Sequence, residues 1–380
     1  MLGFYRMLKK IVFPLMLILC SASAQADRSK VEATGSALAT AAVEEWVWIP
    51  RDDLTCRDGS KTGLGVRLMP GTKAVMIYLQ GGGACYDDKS CKQNANTPIA
   101  GANFSQEKFD EWVEKLGNQG IFNTTNPSNP VARWNHVYVP YCTGDLHGGN
   151  QENASIPGVP AEQQFVGYRN VQNALRLLVP HFEDAEDIAL IGASAGGFGV
   201  LVNYQQVVDA FGGRSIAALV DSAPVIPESA IRTSCFQRKV IETFNLQLPK
   251  SCPECADPSK GGLLNLYSHL SDTYPQGRFA LASADADLAG VILYNDESRA
   301  CDGVGVNIFN YRFSLYVLRD RYIGHEWATF LPGGVQHTMT QSDALFLDRK
   351  FKGVSAAEWL ARINAKTPSH IPPARLLPKK

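Results

Sequence analysis

The sequence predicts an α/β fold with a doubly wound, mostly parallel sheet. Two observations indicate it. Several short runs are apolar along their whole length, which is typical of strands buried on both faces of a parallel sheet. Between them lie segments whose apolar residues recur with helical spacing. Alternation of such strands and helices is the pattern of a doubly wound sheet.

The predicted elements alternate along the chain. Strands are expected at 46–50, 74–79, 136–141, 187–191, 216–220 and 278–283, and helices at 164–178, 198–210 and 263–270. In sheets of this kind, functional groups gather at the carboxyl ends of the strands. Turns rich in glycine or acidic residues follow several of these strands, so we expect the functional site at that edge.

The chain is predicted to hold one catalytic domain, residues 41–365, with a flexible segment before it at 27–40 and a tail after it at 366–380. Six prolines and three cysteines fall within 222–275, which indicates an insertion or lid held by disulfides. The tail is rich in Pro and Lys, and we expect it to be disordered or to lie on the surface.

Residues 1–26 have the three parts of a secretory signal peptide. A basic start (Arg6, Lys9, Lys10) precedes an apolar run at 11–19, and small residues form a cleavage site that ends at Ala26. The apolar run is too short for a membrane anchor, and no later stretch is long and apolar enough to span a bilayer. We therefore expect a secreted or periplasmic protein without a membrane span.

Charge and cysteine content bear on partners and cofactors. The formal net charge of −1 argues against a nucleic-acid partner. Removing Cys20 with the signal peptide leaves eight of nine cysteines, an even number that favours disulfides in an exported protein. Cys252 and Cys255 have the spacing of half a zinc site, but no second pair or histidine couple completes one. We expect a monomer with no metal and no cofactor.

A catalytic serine is predicted where the strand at 187–191 enters Gly192-Ala193-Ser194-Ala195-Gly196. Strand, Gly-x-Ser-x-Gly and helix in this order form the nucleophile elbow of α/β-hydrolases. The two glycines let the strand and helix approach each other without a Cβ clash. The hydroxyl of Ser194 is then expected above the sheet edge, with the amide of Ala195 directed at a developing oxyanion. The predicted fold is therefore α/β-hydrolase-like.

An acyl-transfer serine also requires oxyanion donors and a base. Residues 81–83, all glycine, leave the strand at 74–79 and supply unobstructed amides. The chain order serine, acid, histidine of α/β-hydrolases leaves His269 and the later histidines as candidates for the base. His337 lies in a glycine-rich loop near the end of the fold and is favoured over His269, in a predicted helix, and over His325.

Two aspartates compete for the role of triad acid. The strand at 278–283 ends in Ala284-Asp285-Ala286-Asp287, and residues two apart at a strand end can face the same way. The residues themselves do not separate Asp285 from Asp287. Asp221, after the preceding strand, is a third candidate and better fits a structural turn or cap.

Four segments, taken in order, resemble the pectin acetylesterase family. They are Leu-Gln-Gly-Gly-Gly-Ala-Cys-Tyr-Asp at 79–87, Pro-Tyr-Cys-Thr-Gly-Asp at 140–145, Gly-Ala-Ser-Ala-Gly-Gly at 192–197 and Gly-Gly-x-x-His-Thr at 333–338. The resemblance runs from about residue 56 to residue 337, most of the mature chain. It implies an α/β-hydrolase-like fold and a serine esterase with a Ser-His-Asp triad.

The resemblance assigns roles to individual residues. Ser194 and His337 match the family's nucleophile and base, and the oxyanion donors match Gly82, Gly83 and Ala195. Plant and animal members carry Trp where Gly83 stands, so the floor of the pocket is expected to differ here.

The family acid aligns near Ala286, between the two aspartates. Asp287 is favoured over Asp285, because the residues that come after it better fit an apolar helix. The resemblance also implies disulfides Cys56–Cys142 and Cys85–Cys91. The pairing of the remaining mature cysteines stays open; they are Cys235, Cys252, Cys255 and Cys301.

A further histidine, His147, follows a strand end in Asp145-Leu146-His147. A structural role in the loop is preferred over contact with substrate. Asp145 is expected to bond backbone amides in that loop.

Together these inferences predict an exported serine carboxylesterase that acts on an acylated substrate. The family resemblance favours an O-acetylated glycan such as pectin. Two alternatives stay open. One is a serine peptidase or amidase with the same triad, and the other is a non-catalytic carbohydrate- or protein-binding module on the same fold.

Overall fold

The computed structural model describes residues 38, 40–95, 101–228, 231, 233–300, 303, 305–363 and 367–378. The predicted signal peptide, most of the segment 27–40 and Cys301 lie outside the described residues. The chain divides into two compact units, Met1–Ala41 and Ala42–Lys380, and the second unit contains the central sheet.

Nine strands form this sheet, and two more strands pair beside it. The strands are β1 (Val47–Thr55), β2 (Lys61–Arg67), β3 (Ala74–Leu79), β4 (Asn135–Val139), β5 (Gln151–Ala154), β6 (Gln163–Phe165), β7 (Asp187–Ala193), β8 (Ile216–Asp221), β9 (Arg278–Ala282), β10 (Trp327–Phe330) and β11 (His370–Ile371). The sheet order is β1-β2-β4-β3-β7-β8-β9-β10-β11, and β5 and β6 pair separately. All strands from β4 to β11 in this order run parallel, whereas β1 and β2 are antiparallel at one edge.

Helices cover both faces of the sheet. They are α1 (Asp88–Ala95), α2 (Gln106–Leu116), α3 (Gly167–His181), α4 (Ala195–Ala210), α5 (Ser234–Phe244), α6 (Asn265–Thr273), α7 (Leu288–Ala300), α8 (Ile308–Val317) and α9 (Ala356–Leu360). Short 3₁₀ turns lie at Gly120–Phe122, Pro253–Ala256, Pro258–Lys260 and Gly262–Leu264, and π turns at Leu318–Ile323 and Ala344–Asp348. α4 packs on β3, β7 and β8, while α2 and α9 pack on the opposite face. The predicted doubly wound fold is confirmed.

Burial explains why the apolar runs became central strands. Every residue of β3 and β4 is buried, as a strand covered on both faces requires. α4 buries all but three of its sixteen residues because it lies between the sheet and α3. The central strands therefore form a rigid frame, and their carboxyl ends carry the candidate site.

Several regions differ from the sequence prediction or extend it, and β5, β6 and β10 are absent from that prediction. β2 is absent from that prediction, because its glycines break the apolar pattern; Gly63 and Gly65 lie under the rings of Trp48 and Phe109, where a Cβ does not fit. The segment 222–275 contains α5 and α6, and Cys252 is bonded to Cys255 within it. The tail contributes β11, which pairs with β10.

None of the helices in the described part of the chain has the length and hydrophobicity needed to cross a bilayer.

Candidate active site

Ser194 lies in a strained turn between β7 and α4. Its backbone adopts φ 56° and ψ −124°, a conformation that L-residues rarely take. A Cβ on Gly192 would overlap the carbonyl oxygen of Gly196, and one on Gly196 would overlap the carbonyl oxygen of Leu79. The two glycines are therefore required by close backbone approach, as the elbow demands. Ala195 is the first residue of α4, so its amide is unpaired within the helix.

The glycine-rich loop after β3 lies directly against this turn. A Cβ on Gly81 would stand 2.8 Å from Cβ of Ser194. Gly83 has φ 74°, in the left-handed region that glycine favours. The loop thus brings bare backbone beside the serine.

His337 and Asp287 are hydrogen-bonded to each other. Nδ1 of His337 lies 2.8 Å from Oδ2 and 3.0 Å from Oδ1 of Asp287. The Asp287 side chain is fully buried, while 28% of the His337 side chain is exposed. A carboxylate acceptor beside Nδ1 leaves Nε2 as the free ring nitrogen of neutral His337.

The environment of His337 favours its charged form. Burial alone lowers the pKa of His337. The hydrogen bond and charge of Asp287, together with the charge of Asp221, outweigh this burial effect, so the pKa of His337 lies above its ordinary value. An imidazolium formed on proton uptake is therefore stabilised at this position.

Asp285 has different partners. Oδ2 lies 3.0 Å from Nε of Arg312 in α8, and Tyr316 Oη donates to the same oxygen at 3.3 Å. The amide of Gly334 donates to Oδ1 at 3.2 Å. Asp285 thus ties α8 to the loop after β10, whereas Asp287 holds the imidazole. The two carboxylates that sequence reasoning left unseparated are distinguished by their partners.

Asp221 is a buried carboxylate at the end of β8. It accepts hydrogen bonds from the amides of Met339 and Thr340, just beyond His337. Burial raises the pKa of Asp221 against the opposing effect of these bonds. The sequence predicts a structural turn or cap at Asp221, and its contacts extend further than that, to a loop 118 residues away.

Several side chains that sequence reasoning missed support the glycine-rich loop. Asn94 Nδ2 donates to the carbonyl of Gly82 at 2.5 Å, and its Oδ1 accepts from Nη2 of Arg57 at 2.9 Å. Nη1 of Arg57 lies 2.9 Å from Oε1 of Gln163 and 2.7 Å from Sγ of Cys85. Arg57 is only 3% exposed. Arg57 falls in the segment 56–60, where the family resemblance begins, but no sequence feature assigned it a role, and Asn94 lies in no motif.

Disulfides connect the same region. The structure bonds Cys56 to Cys142 and Cys85 to Cys91, which are the pairings that the family resemblance implies. Cys235 is also in a disulfide. Because Cys252 and Cys255 are bonded to each other, they do not act as zinc ligands here. Within the described ranges, no group of three or more His, Cys, Asp or Glu is arranged to hold a metal ion.

His147 is buried, in agreement with the structural role that was preferred over substrate contact. Its Nε2 donates to the carbonyl of Gln80 at 2.8 Å, and burial lowers its pKa to about 4, so the ring is neutral. Asp145 reaches beyond its own loop, because Oδ2 accepts from the amide of Gly167 at the start of α3 at 2.7 Å. Burial raises the pKa of Asp145 to about 6.

The other candidate histidines lie elsewhere. His269, in α6, bonds to Ser251. His325 Nε2 donates to the carbonyl of Leu377 at 3.0 Å. Neither has a hydrogen-bonded carboxylate partner among the contacts of the described residues.

Comparisons with known proteins place this geometry in context. The sequence profile of the pectinacetylesterase family matches residues 39–264. The chain is similar to palmitoleoyl-protein carboxylesterase notum2 of Xenopus laevis (32% identity over 160 residues, 40% of this chain) and to palmitoleoyl-protein carboxylesterase NOTUM of Homo sapiens (30% over 159 residues, 41% of this chain). These alignments span 30% of the length of either relative.

A solved structure of the Wnt deacylase Notum from Drosophila has a similar fold. Its TM-score is 0.65 at 19% identity, and the match covers 87% of this chain and 96% of that chain. At this identity the likeness concerns the fold, and it confirms the predicted α/β-hydrolase-like architecture.

Proposed function

The chain belongs to the pectinacetylesterase family, and we propose that it is a serine carboxylesterase whose triad is Ser194, His337 and Asp287. The observation that carries the proposal is the hydrogen bond from Nδ1 of His337 to the carboxylate of Asp287, made at the same sheet edge as the strained serine turn. A carboxylate, an imidazole and an elbow serine at one edge are the groups that acyl transfer requires. Asp285 is set aside as the acid because Arg312 and Gly334 occupy it.

The proposed reaction has two halves. Nε2 of His337 takes the proton of the Ser194 hydroxyl as the oxygen attacks the ester carbonyl, and Asp287 stabilises the imidazolium. The imidazolium then gives its proton to the departing alcohol, which leaves an acyl-serine. Water, deprotonated by the same imidazole, attacks the acyl group and releases the carboxylic acid, and the proton returns to Ser194.

The amides of Gly82, Gly83 and Ala195 are the proposed oxyanion donors. Ala195 lies at the amino end of α4, where the helix dipole also favours negative charge. Donors fixed in place before reaction account for a large share of catalysis in such sites.

An O-acetylated glycan such as pectin is the first proposed substrate, on the grounds of family membership. Acetate release from acetylated pectin and xylan, compared between the wild-type protein and Ser194→Ala, tests it directly. Acetate release that is equal for both proteins would refute it.

A specific observation favours a second substrate class, esters of longer fatty acids. Five apolar side chains, here called the apolar rim, are each about half exposed or more and lie on α7, on α8 and in the loop of His337: Leu288, Ile292, Phe309, Phe313 and Val335. Arg312 ties α8 to Asp285, close in sequence to Asp287. Leu288 follows Asp287, and its amide donates to the carbonyl of Val335 at 3.1 Å. Exposed apolar side chains grouped beside a reactive centre are typical of a binding surface. Two relatives are described as palmitoleoyl-protein carboxylesterases.

p-Nitrophenyl esters of acetate, butyrate, octanoate and decanoate separate the two classes. If the rim binds acyl chains, Phe309→Ser with Phe313→Ser lowers kcat/KM for decanoate about tenfold and leaves acetate unchanged. Val43→Ser is the matched control, because Val43 is a similarly exposed apolar residue that is remote in sequence. An equal effect on all four esters would exclude the rim as an acyl site.

Two assays on the same purified protein test the alternative functions. Matched ester and amide substrates separate an esterase from a peptidase or amidase, and covalent labelling by a fluorophosphonate separates an enzyme from a binding module.

We also propose export to the cell exterior or the periplasm. Three disulfides among the described residues support an oxidising compartment. Amino-terminal sequencing of the exported protein should show Asp27 as the first residue, after cleavage at Ala26. A monomer is expected and can be checked by light scattering.

A further inference from the structure

Asp221 is a buried charged residue that the proposed reaction does not use. It lies at the carboxyl end of β8, next to β7 and its elbow, and its relative exposure is 0%. Its backbone carbonyl accepts a hydrogen bond from the amide of Ser194 at 2.8 Å. The strained serine is thus fixed through its own backbone to Asp221.

The side chain of Asp221 holds the other half of the site. Oδ2 accepts from the amide of Thr340 at 2.8 Å and from its hydroxyl at 2.6 Å. The amide of Met339 donates to both carboxylate oxygens, at 2.9 and 3.0 Å. Ser222 Oγ donates to Oδ1 at 2.9 Å. Backbone amides can only donate, so an ionised carboxylate matches these partners and an amide side chain does not.

We propose that Asp221 is a positioning residue, which fixes the Ser194 turn and the His337 loop to each other. This rests on the proposed Ser194–His337 chemistry. The donors on the carboxylate lie two and three residues after His337, and the donor on the carbonyl belongs to the nucleophile. Nucleophile and base therefore share one anchor. A displacement of about 1 Å between reacting groups can cost about 10²-fold in rate, so such an anchor acts on turnover.

Asp221 is not a second triad acid. Its oxygens are occupied by the backbone after His337, and the imidazole Nδ1 is bonded to Asp287. Its charge still acts on the ring over a longer distance. The groups that face His337 are Asp287 before α7 and Asp221 from β8. Burial and the charge of Asp287 raise the pKa of Tyr311, from α8, well above its ordinary value, and the Asp285 carboxylate is paired with Arg312.

Asp221→Asn tests the proposal with nearly unchanged shape. The amide group would direct N–H donors at the donors of Met339 and Thr340, and the negative charge would be lost. We expect kcat on p-nitrophenyl acetate to fall about 100-fold, with KM within about threefold. We also expect the acidic limb of the kcat/KM profile to move to lower pH, because a neutral neighbour lowers the pKa of His337.

Two further variants separate position from charge. Thr340→Val removes one hydroxyl hydrogen bond and keeps the carboxylate, so kcat should fall about threefold to tenfold with the acidic limb unmoved. Asp187→Asn is the matched control; it removes an exposed carboxylate at the opposite end of the neighbouring strand, and neither quantity should change.

Titration with a fluorophosphonate corrects for misfolded protein, because turnover is then expressed per labelled serine. A per-site kcat and an acidic limb equal to wild type in Asp221→Asn would overturn the proposal and leave Asp221 a stability residue. If Asp221→Asn yields no folded protein, an unchanged kcat in Thr340→Val overturns it instead. Failure of the proposed function looks different, because Ser194→Ala would then keep its activity and wild type would resist labelling.

Discussion

The two sides of Ser194 are held by different chemistry. On the histidine side, the ends of β8 to β10, buried carboxylates fix the loop that carries His337. On the glycine side, the loop after β3 is fixed by a buried guanidinium, an asparagine and a disulfide. One side therefore depends on ionised aspartates and the other on a covalent bond and a permanent cation.

Because their chemistry differs, the two sides should respond to different solution conditions, one to pH and the other to reducing agents. Carboxylates and an imidazole titrate, so the histidine side is sensitive to pH. Burial lowers the pKa of Arg57, yet a guanidinium stays protonated in proteins. The glycine side is therefore expected to respond to reducing agents and little to pH. Variants on each side test this division, and their expected effects run from the largest to the smallest.

Loss of the proposed reacting groups should give the largest effect. Ser194→Ala and His337→Ala should each lower kcat by a factor on the order of 10⁶, and the double variant should be scarcely worse, since triad members act as a unit. Steady-state kinetics on p-nitrophenyl acetate measures this, with circular dichroism as the control for folding. An active His337→Ala alongside an inactive His325→Ala or His269→Ala would move the base.

The two aspartates should differ widely. Asp287→Asn should cost about 10⁴-fold in kcat, because the amide favours the wrong imidazole tautomer. Asp285→Asn should cost about tenfold or less, because it weakens only the contact between α8 and the loop of Gly334. The reverse ranking would assign the acid to Asp285. If the variant lacking both aspartates stayed active, Asp221 would be next to test as the acid.

Disulfide removal should act on the glycine side alone. Cys85→Ser with Cys91→Ser should lower kcat about 10- to 100-fold, since the loss of a single oxyanion donor costs about 10²–10³. Cys252→Ser with Cys255→Ser is the matched control, because that bond also closes a short loop, but in the segment between β8 and β9. Equal kcat losses in both variants would mean that the Cys85–Cys91 bond has no special relation to the oxyanion.

Asn94 offers a smaller change at the same loop. Asn94→Ala removes the donor to Gly82 and an acceptor for Arg57, so kcat should fall about fivefold and the unfolding free energy by about 1–3 kcal/mol. Asn94→Asp keeps an acceptor for Arg57 but sets an oxygen against the Gly82 carbonyl. Its unfolding free energy should therefore fall less than that of Asn94→Ala, while its kcat should still fall. Asn103→Ala, at an exposed asparagine, should change neither.

The smallest expected change is in the pH dependence of kcat/KM, and it should separate the histidine side from the glycine side most clearly. As the proposed base, His337 must be neutral to accept a proton, and its pKa is raised, so kcat/KM should rise with pH through an apparent pKa above the ordinary value of histidine. Asn94→Ala should leave this value in place, whereas Asp221→Asn should lower it. A shift in both variants would show that the two sides are not independent.

Local patterns allowed the sheet and the serine turn to be predicted from sequence. The Gly-x-Ser-x-Gly pattern after an apolar strand is local, and Gly192 meets Gly196 only four residues on; the close approach of Gly196 to Leu79 on β3 was not visible in it. Continuous apolar runs, which are also local, predicted five of the parallel strands, β3, β4, β7, β8 and β9, and missed β10 and β11. β2 escaped because its partners are aromatic rings that pack over Gly63 and Gly65, and the sequence of the strand does not show them.

The remaining features of the site could not be predicted from sequence, because they depend on contacts between residues far apart in the chain. Local sequence favoured Asp287 over Asp285 only through the helix pattern that follows it, and what separates their contacts is Arg312, 27 residues from Asp285, and His337, 50 residues from Asp287. The contacts of Arg57 with Asn94 and Gln163 likewise join remote segments without any motif. Such choices depend on the tertiary fold, which sequence spacing alone does not determine.

The pairing of β11 with β10 has a consequence for handling the protein. A strand of two residues, His370–Ile371, covers the outer edge of the parallel sheet close to the carboxyl terminus. Removing the chain after residue 363 would uncover the backbone N–H and C=O groups of β10, and an open edge of this kind recruits other strands. Such a truncated protein should aggregate as its concentration rises, whereas a fusion added after Lys380 should keep it dispersed.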